Sequence, residues 1–209
     1  MKNIEIQSPV KGRWSFMNPP GHHPDAKDFV AVDGKGKPYP SIKLIPHILY
    51  KLNVEDTFAW EKNLYSPFDG YIHRIENKKD DRTTLNLIID VFRGLVLAPR
   101  NANKGIEYFL GNHVIIESSN GIFALMAHLK KGSIAVKEGQ QVKEGDIIGQ
   151  VGNSGNTIQP HLHFQLMKEN DPSQSVPVPF SLKSYKIEKE GNWIEVITNL
   201  PNNYKPFIT

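Results

Sequence analysis

Residues 136–166 read VKEGQQVKEGDIIGQVGNSGNTIQPHLHFQL, and three features of this stretch decide how the chain folds. VKEG occurs at 136–139 and again at 142–145, and each copy places a glycine where a tight turn uses positive φ. Together the copies read as a compact hairpin ahead of the strand DIIGQV (146–151). A Gly/Asn-rich turn follows, and then HLHFQLM (161–167), an alternating apolar run. In an extended strand the side chains at i and i+2 emerge on one face. His161 and His163 therefore look into one space, with Leu162 and Phe164 on the other face. Two polar residues on a solvated face would show the same pattern, so the reading depends on what else the chain brings there.

Outward from this block the pattern is mostly strands. YIHRI (71–75), TLNLIID (84–90), NHVIIES (112–118), GIFALMAHL (121–129) and GSIAV (132–136) are short, rich in β-branched or aromatic residues, and bounded by Gly, Pro or Asn. Helical periodicity is weak, with short helices expected at most near 55–63 and 98–109. The spacing predicts a mainly β fold, an antiparallel sandwich or barrel. Residues 33–63 and 76–110 are longer than hairpin loops and are expected to be excursions that wall a groove. The Pro-rich segment 170–180 leads into an alternating tail. The expected division is thus one β-domain over 1–169 and appended C-terminal strands over 170–209.

Composition bounds the chemistry. With 209 residues, 39% hydrophobic content, 10 Phe and 3 Trp, the chain can bury a real core, and one decorated domain is the expectation. Scattered charges, 25 Lys+Arg against 22 Asp+Glu, give no reason to expect nucleic acid. Without cysteine there are no disulfides and no thiol catalysis, and any metal must be held by His and carboxylates. No apolar run approaches the roughly 20 residues of a membrane span. The amino terminus, MKNIEIQSPVKGRWSF, shows no continuous apolar stretch and no small-residue cleavage site. No secretory signal is therefore expected, and the chain as given is expected in the cytoplasm, with the cell envelope or exterior as the alternative.

The eight histidines need sorting. His22 and His23 lie in PPGHHPDAKDFVAVD, with Asp28 close behind and a buried strand expected from Phe29 to Val32. His128 ends an apolar strand, and His161 and His163 form the opening pair. Two His and one Asp with a fourth position left open is the arrangement of catalytic zinc, whereas closed four-ligand sites are structural. A hydrolytic site also needs a base for the attacking water and a donor for the tetrahedral oxyanion. Histidines not used as ligands suit both tasks, because their unperturbed pKa is about 6.5.

At this point the sequence resembles the lysostaphin-type (LytM-like) zinc metallopeptidases, whose β-fold is the duplicated hybrid motif. The resemblance spans residues 9–167. It rests on SPFDGYIHRI (66–75), GNHVIIES (111–118), ALMAHL (124–129) and, most diagnostically, the block 136–166. It implies an antiparallel β-sandwich or barrel-sandwich hybrid with long excursions. It also implies a zinc-dependent endopeptidase acting on a peptide or peptidoglycan substrate, at cross-links or stem peptides and often at bonds to glycine or D-residues. Carried over residue by residue, it makes His163 and Asp28 zinc ligands, and His161 and His128 the pair that handles water and oxyanion. The first ligand departs from the family's His-x-x-x-Asp spacing, since four residues after His22 stands Ala26 and four after His23 stands Lys27. Either His23 serves across one extra residue, as a bulge would allow, or His22 serves across a longer loop, with His23 preferred.

Other readings stand beside this one. A metal-binding but weakly active or inactive member, or a carrier on the same β-scaffold, would share the hairpins. A swinging-arm carrier needs a lysine at a hairpin tip, whereas Lys168 trails the His-x-His strand, and a phosphocarrier leaves Asp28 unexplained. GNSGN is not a nucleophile elbow, because Asn156 stands where glycine is required, so Ser154 reads as a turn residue. His113 reads as a strand residue near the groove, His47 and His73 as surface or packing residues, and Trp14, Trp60 and Trp193 as packing aromatics. Asp25 is either a partner of the site or solvated. Oligomeric state is not legible.

Overall fold

The computed structural model describes residues 3–18, 22–49, 51–92 and 105–209. The strands are β1 (Ile4–Ile6), β2 (Arg13–Met17), β3 (Lys27–Ala31), β4 (Leu52–Asn53), β5 (Asn63–Tyr65), β6 (Gly70–Glu76), β7 (Thr84–Leu85), β8 (Asn112–Ser118), β9 (Phe123–Leu129), β10 (Gln141–Val142), β11 (Ile147–Gln150), β12 (Leu162–Met167), β13 (Phe180–Lys189), β14 (Asn192–Asn199) and β15 (Phe207–Ile208). The fold is mainly β. Among the described residues, eleven strands form one sheet in the order β1-β13-β15-β2-β3-β12-β9-β8-β6-β10, with β14 on β13, and β5–β11 and β4–β7 form small sheets. Pairing is antiparallel except between β1 and β13.

The alternation of β12 positions everything else. Leu162, Phe164 and Leu166 enter the main core with Phe16, Phe29, Phe180 and Phe207. Phe29 stands edge-on to both Phe16 (centroids 4.6 Å apart) and Phe164 (6.0 Å). Burying each such side chain contributes about 1.5–3 kcal/mol. A slip of one residue would exchange all three for His163, Gln165 and Met167, so the core pins the register. The opposite face of β8, β9 and β12 carries a smaller cluster of Ile115, Phe123, Leu125, Ala127 and Met167. His163 lies on that second face, directly across from Asp28 on one side and Ala127 on the other.

Several elements differ from the sequence reading. TLNLIID is not one strand: β7 ends at Leu85, and Leu87–Phe92 is a helix. Asn86 caps it, its Oδ1 accepting from the Ile89 N–H at 3.0 Å, a local signal that outweighs a short apolar run of ambiguous period. GSIAV is a loop tied to Ile148 through the Ala135 N–H. The VKEG copies form two turns, with Gly139 and Gly145 at φ 77° and 85°, but β10 between them pairs with β6 rather than within the repeat. Near 55–63 there is one turn of 3₁₀ helix, Val54–Asp56. Near 98–109 there is a helix at Ile106–Leu110, residues 98–104 lying outside the described residues. A short helix also spans Leu44–Leu49.

The C-terminal strands are not set apart. β13 pairs with β1 and β15 with β2, and Phe180, Leu182, Tyr185 and Phe207 sit in the main core. The two excursions meet through β4–β7, and Tyr39, Leu52, Val54 and Leu85 form a cluster of their own. Among the described residues no helix is long and apolar enough to cross a membrane.

Candidate active site

Asp28, in the middle of the sheet on β3, is 1% exposed, and three histidines surround its carboxylate. His163 Nδ1 lies 2.8 Å from Oδ1, His22 Nδ1 lies 3.3 Å from Oδ2, and His161 Nε2 lies 3.6 Å from Oδ2. The cross-strand pairing of Asp28 with His163 sets the first of these contacts. His22 arrives from before the strand. A turn closed by the Ala26 N–H on the His23 carbonyl (3.0 Å) takes up the residues between, and the His22 ring stands edge-on to His163 with centroids 5.4 Å apart.

The structure therefore brings His22, not the preferred His23, to Asp28. His23 is inside that turn, exposed, its Nδ1 accepting from the Asp25 N–H at 3.2 Å and lying 3.8 Å from the Asp25 carboxylate. The extra residues are spent on a turn rather than on a strand bulge, which carries the neighbouring imidazole away from the carboxylate.

His22, Asp28 and His163 each offer a donor atom within 4.8 Å of the others. Bonds of about 2.0–2.2 Å at tetrahedral angles separate donors by about 3.3–3.6 Å, so small adjustments would close this set on zinc. The remaining nitrogen of His163 fits as well: its Nε2 lies 3.3 Å from Gln165 Oε1. Donation of that N–H to the amide oxygen leaves Nδ1 free to bind, the outer support that ligating histidines regularly have. The His22 side chain is one-third exposed, and it is the open flank of the cluster.

His128 is aimed by a backbone irregularity. The β8–β9 ladder pairs Asn112 with Leu129 and His113 with Ala127, so His128 is the extra residue of a bulge. Its φ is 65°, a left-handed conformation unusual for a residue with a Cβ. A polar bracket holds it there. His128 Nδ1–H donates to the Ser154 carbonyl (2.9 Å), while Ser154 Oγ donates to the Leu129 carbonyl (2.8 Å) and accepts from the Asn112 N–H (2.9 Å). The two glycines of the family-like motifs let these segments touch. A Cβ on Gly155 would lie 2.5 Å from Gly111 N, and one on Gly111 would lie 2.5 Å from the Ser154 carbonyl carbon.

His161 is arranged alike. Its Nδ1–H donates to the Gln159 carbonyl at 2.7 Å, with Thr157 Oγ1 at 3.1 Å, and its Nε2 is buried with no hydrogen-bond partner among the described residues. The His128 and His161 rings lie 4.7 Å apart. Both imidazoles are thus held as the Nδ1–H tautomer, with the Nε2 lone pair left for whatever enters. Burial first, and then the neighbouring His161 and His163, hold His128 well below the ordinary histidine range. Burial likewise lowers His22. Burial pushes the Asp28 carboxyl up, but His161, His163 and His22 outweigh it and hold it well below the usual carboxylate range. For His163 burial is outweighed by the bond and charge of Asp28, which raise it.

The remaining candidates fall elsewhere. His113 is fully buried on β8, its Nδ1–H donating to the Gly111 carbonyl at 2.9 Å. His73 packs on Phe123 and pairs with Glu117 (3.3 Å). His47 is buried against Tyr39 (2.8 Å), a packing role. Trp14 is in the core, and Trp193 lies under Arg13 at the surface. The supports Gln165, Thr157, Gln159 and Asn112 were not singled out from sequence. Their only signal is proximity in the chain to a histidine or a glycine.

An open His–Asp–His donor set with two further imidazoles facing it is what a metal-dependent hydrolase needs. Residues 80–175 match the model of peptidase family M23, a span that holds His128, His161 and His163 and leaves out His22 and Asp28. Similar curated proteins include the peptidoglycan DD-endopeptidase ShyA of Vibrio cholerae, 34% identical over 97 residues (46% of this chain, 21% of that protein). Lysostaphin of Staphylococcus staphylolyticus is 37% identical over 99 residues (46% and 19%). The chain spans about a fifth of the length of these two relatives. The solved structure of pseudoalterin, an M23 metalloprotease from the deep sea, covers 100% of this chain and 99% of its own at a TM-score of 0.51 and 13% identity, a likeness of fold.

Proposed function

We propose that this chain is a zinc endopeptidase that hydrolyses peptide bonds of peptidoglycan, in cross-links or stem peptides, at the cell envelope or outside the cell. The observation that carries the reading is the convergence of His22, Asp28 and His163 beside the paired imidazoles of His128 and His161. Relatives named as a peptidoglycan DD-endopeptidase and an L-Ala–D-Glu endopeptidase support the substrate class.

In this reading His22, Asp28 and His163 hold zinc, which when bound acidifies water and polarises a carbonyl. His163 is oriented by Gln165. One of His128 and His161, neutral at Nε2, would accept the proton of the attacking water and, as the imidazolium so formed, deliver that proton to the leaving amine; the other would stabilise the developing oxyanion when its own Nε2 carries a proton. The β-strand edges and excursions around the site would receive an extended peptide.

Elemental analysis of protein produced in zinc-containing medium, beside digestion of cross-linked peptidoglycan and glycine-rich peptides, tests the reading. About one zinc per chain and release of peptide fragments are expected. His22→Ala should lose the metal and His23→Ala should keep it. Metal-free protein, or equal retention by both variants, would refute the ligand set.

A further inference from the structure

The excursion that follows β6 reaches the histidine pair from outside the metal cluster. Residues 80–90 read DDRTTLNLIID, and their first part is bound to the Gly152–Gly155 turn. The Asp81 carboxylate accepts from the Asn153 N–H (2.7 Å) and the Lys131 N–H (2.8 Å), the Arg82 N–H donates to the Asn153 carbonyl (3.2 Å), and Asn153 Nδ2 donates to the Arg82 carbonyl (2.8 Å). The Arg82 backbone is therefore fixed against the turn that brackets His128.

Its guanidinium makes two contacts in different directions. One arm pairs with Asp90, which is 2% exposed on the helix Leu87–Phe92, and the other donates to the Thr157 carbonyl. Asp90 is itself held, because its second oxygen accepts from the Asn86 N–H at 2.9 Å. Residues 157–160 lie outside every strand, so the sheet does not position them. Yet this segment receives the His161 proton: Thr157 Oγ1 donates to the Gln159 carbonyl at 2.6 Å, and that carbonyl and hydroxyl face His161 Nδ1 at 2.7 and 3.1 Å. A rigid planar fork with one arm anchored on a buried carboxylate is suited to hold a carbonyl in place, which a lysine's single ammonium is not.

We propose that Arg82 is a positioning residue for His161: anchored on Asp90, it holds the Thr157 carbonyl and so the Thr157–Gln159 turn that fixes the Nδ1–H tautomer and leaves Nε2 facing Asp28. The consequence for turnover rests on the peptidase reading above, but the consequence for the tautomer does not. The excursion then does more than wall a groove, since its helix Leu87–Phe92 is wired to an acid/base group.

The test uses the full-length, zinc-loaded chain with ¹⁵N-labelled histidine, the His161 signals being assigned by their loss in His161→Asn. Wild type should show His161 as a single Nδ1–H tautomer. Arg82→Gln and Asp90→Asn should show a mixture, and Arg82→Lys an intermediate case. Zinc content should stay at the wild-type level, while kcat on a susceptible peptide falls by about ten- to a hundred-fold with KM changed less than about threefold. Thr157→Val, which removes the hydroxyl and keeps the carbonyl, should give a smaller loss than Arg82→Gln. An unaltered His161 spectrum in Arg82→Gln would overturn the proposal, as would a kcat loss that follows loss of zinc. A tautomer shift in a protein that cleaves none of the peptides would uphold the role of Arg82 and overturn the peptidase reading instead.

Discussion

Replacing His128 by glycine should give a more stable protein than replacing it by alanine, the reverse of the order in an ordinary strand. His128 has φ 65° at the unpaired position of the β8–β9 bulge. Holding a residue with a Cβ in the left-handed region costs roughly 1–2 kcal/mol, whereas glycine takes that conformation freely. Against this, glycine's greater unfolded-state entropy costs about 0.5–1 kcal/mol relative to alanine in regular structure. Both variants lose the same imidazole and the same bond to the Ser154 carbonyl, so their difference isolates the backbone. Glycine should lead by up to about 1.5 kcal/mol, each kcal/mol being about 2–4 °C in Tm for a chain of this size. Urea unfolding of both variants, zinc-loaded and chelated, measures the difference as a shift in midpoint at constant m-value. Alanine ahead of glycine by about 0.5–1 kcal/mol, as in regular structure, would mean that position 128 is ordinary strand and that the bulge does not aim the histidine. Both variants should retain zinc and lose most turnover, since the strain is kept for function rather than stability.

Gly155→Ala should cost about 2–5 kcal/mol, the left-handed penalty plus an overlap that only backbone movement relieves, because its Cβ would meet Gly111 N and the Phe109 carbonyl oxygen at 2.5 Å; a loss under about 1 kcal/mol in urea unfolding would contradict the close approach. For pH, His163 is raised, so its contribution to metal-free stability is full below the ordinary histidine range and is lost as pH rises through its folded pKa. Asp28 is depressed, so its contribution is present above the ordinary carboxylate range and is lost as pH falls. These two groups therefore favour the metal-free protein between about pH 4 and 6.5, and zinc, which competes with the His163 proton, should shift the optimum upward; thermal melts from pH 4 to 9 with and without chelator would show one shared profile if the pair were not coupled. His163→Ala should lose zinc and hydrolysis together, while His161→Ala and His128→Ala should keep zinc and lose about 10²- to 10⁴-fold in kcat, with the double variant little worse than either single one; a zinc-free His161→Ala by elemental analysis would contradict these roles.

What the sequence by itself determined lies where the signal is local. The alternation Leu162–His163–Phe164 carries the register of β12, since a strand has only two faces and burial of the aromatic chooses between them. The turn glycines at 139, 145 and 155 were legible because few other residues accept φ near 80°. Asp28 beside a buried run and His128 at the end of another were legible as candidates because each is a polar residue bordering an apolar stretch. TLNLIID was misread because period alone cannot separate a short helix from a strand, and only the Asn86 cap tips the balance. The tail read as an appended segment because nothing local says that β13 and β15 will pair with β1 and β2 at the far end of the chain.

Only the tertiary structure decided which of two adjacent histidines meets Asp28. Spacing counts residues but not the turn that consumes them, and the turn from His23 to Ala26 reverses the preference. The same holds for Arg82, 75 residues from Thr157, and for Ser154, 26 residues from His128. Contacts at such separations depend on where the sheet places each loop, and that placement follows from burial of the whole core rather than from any short stretch of chain.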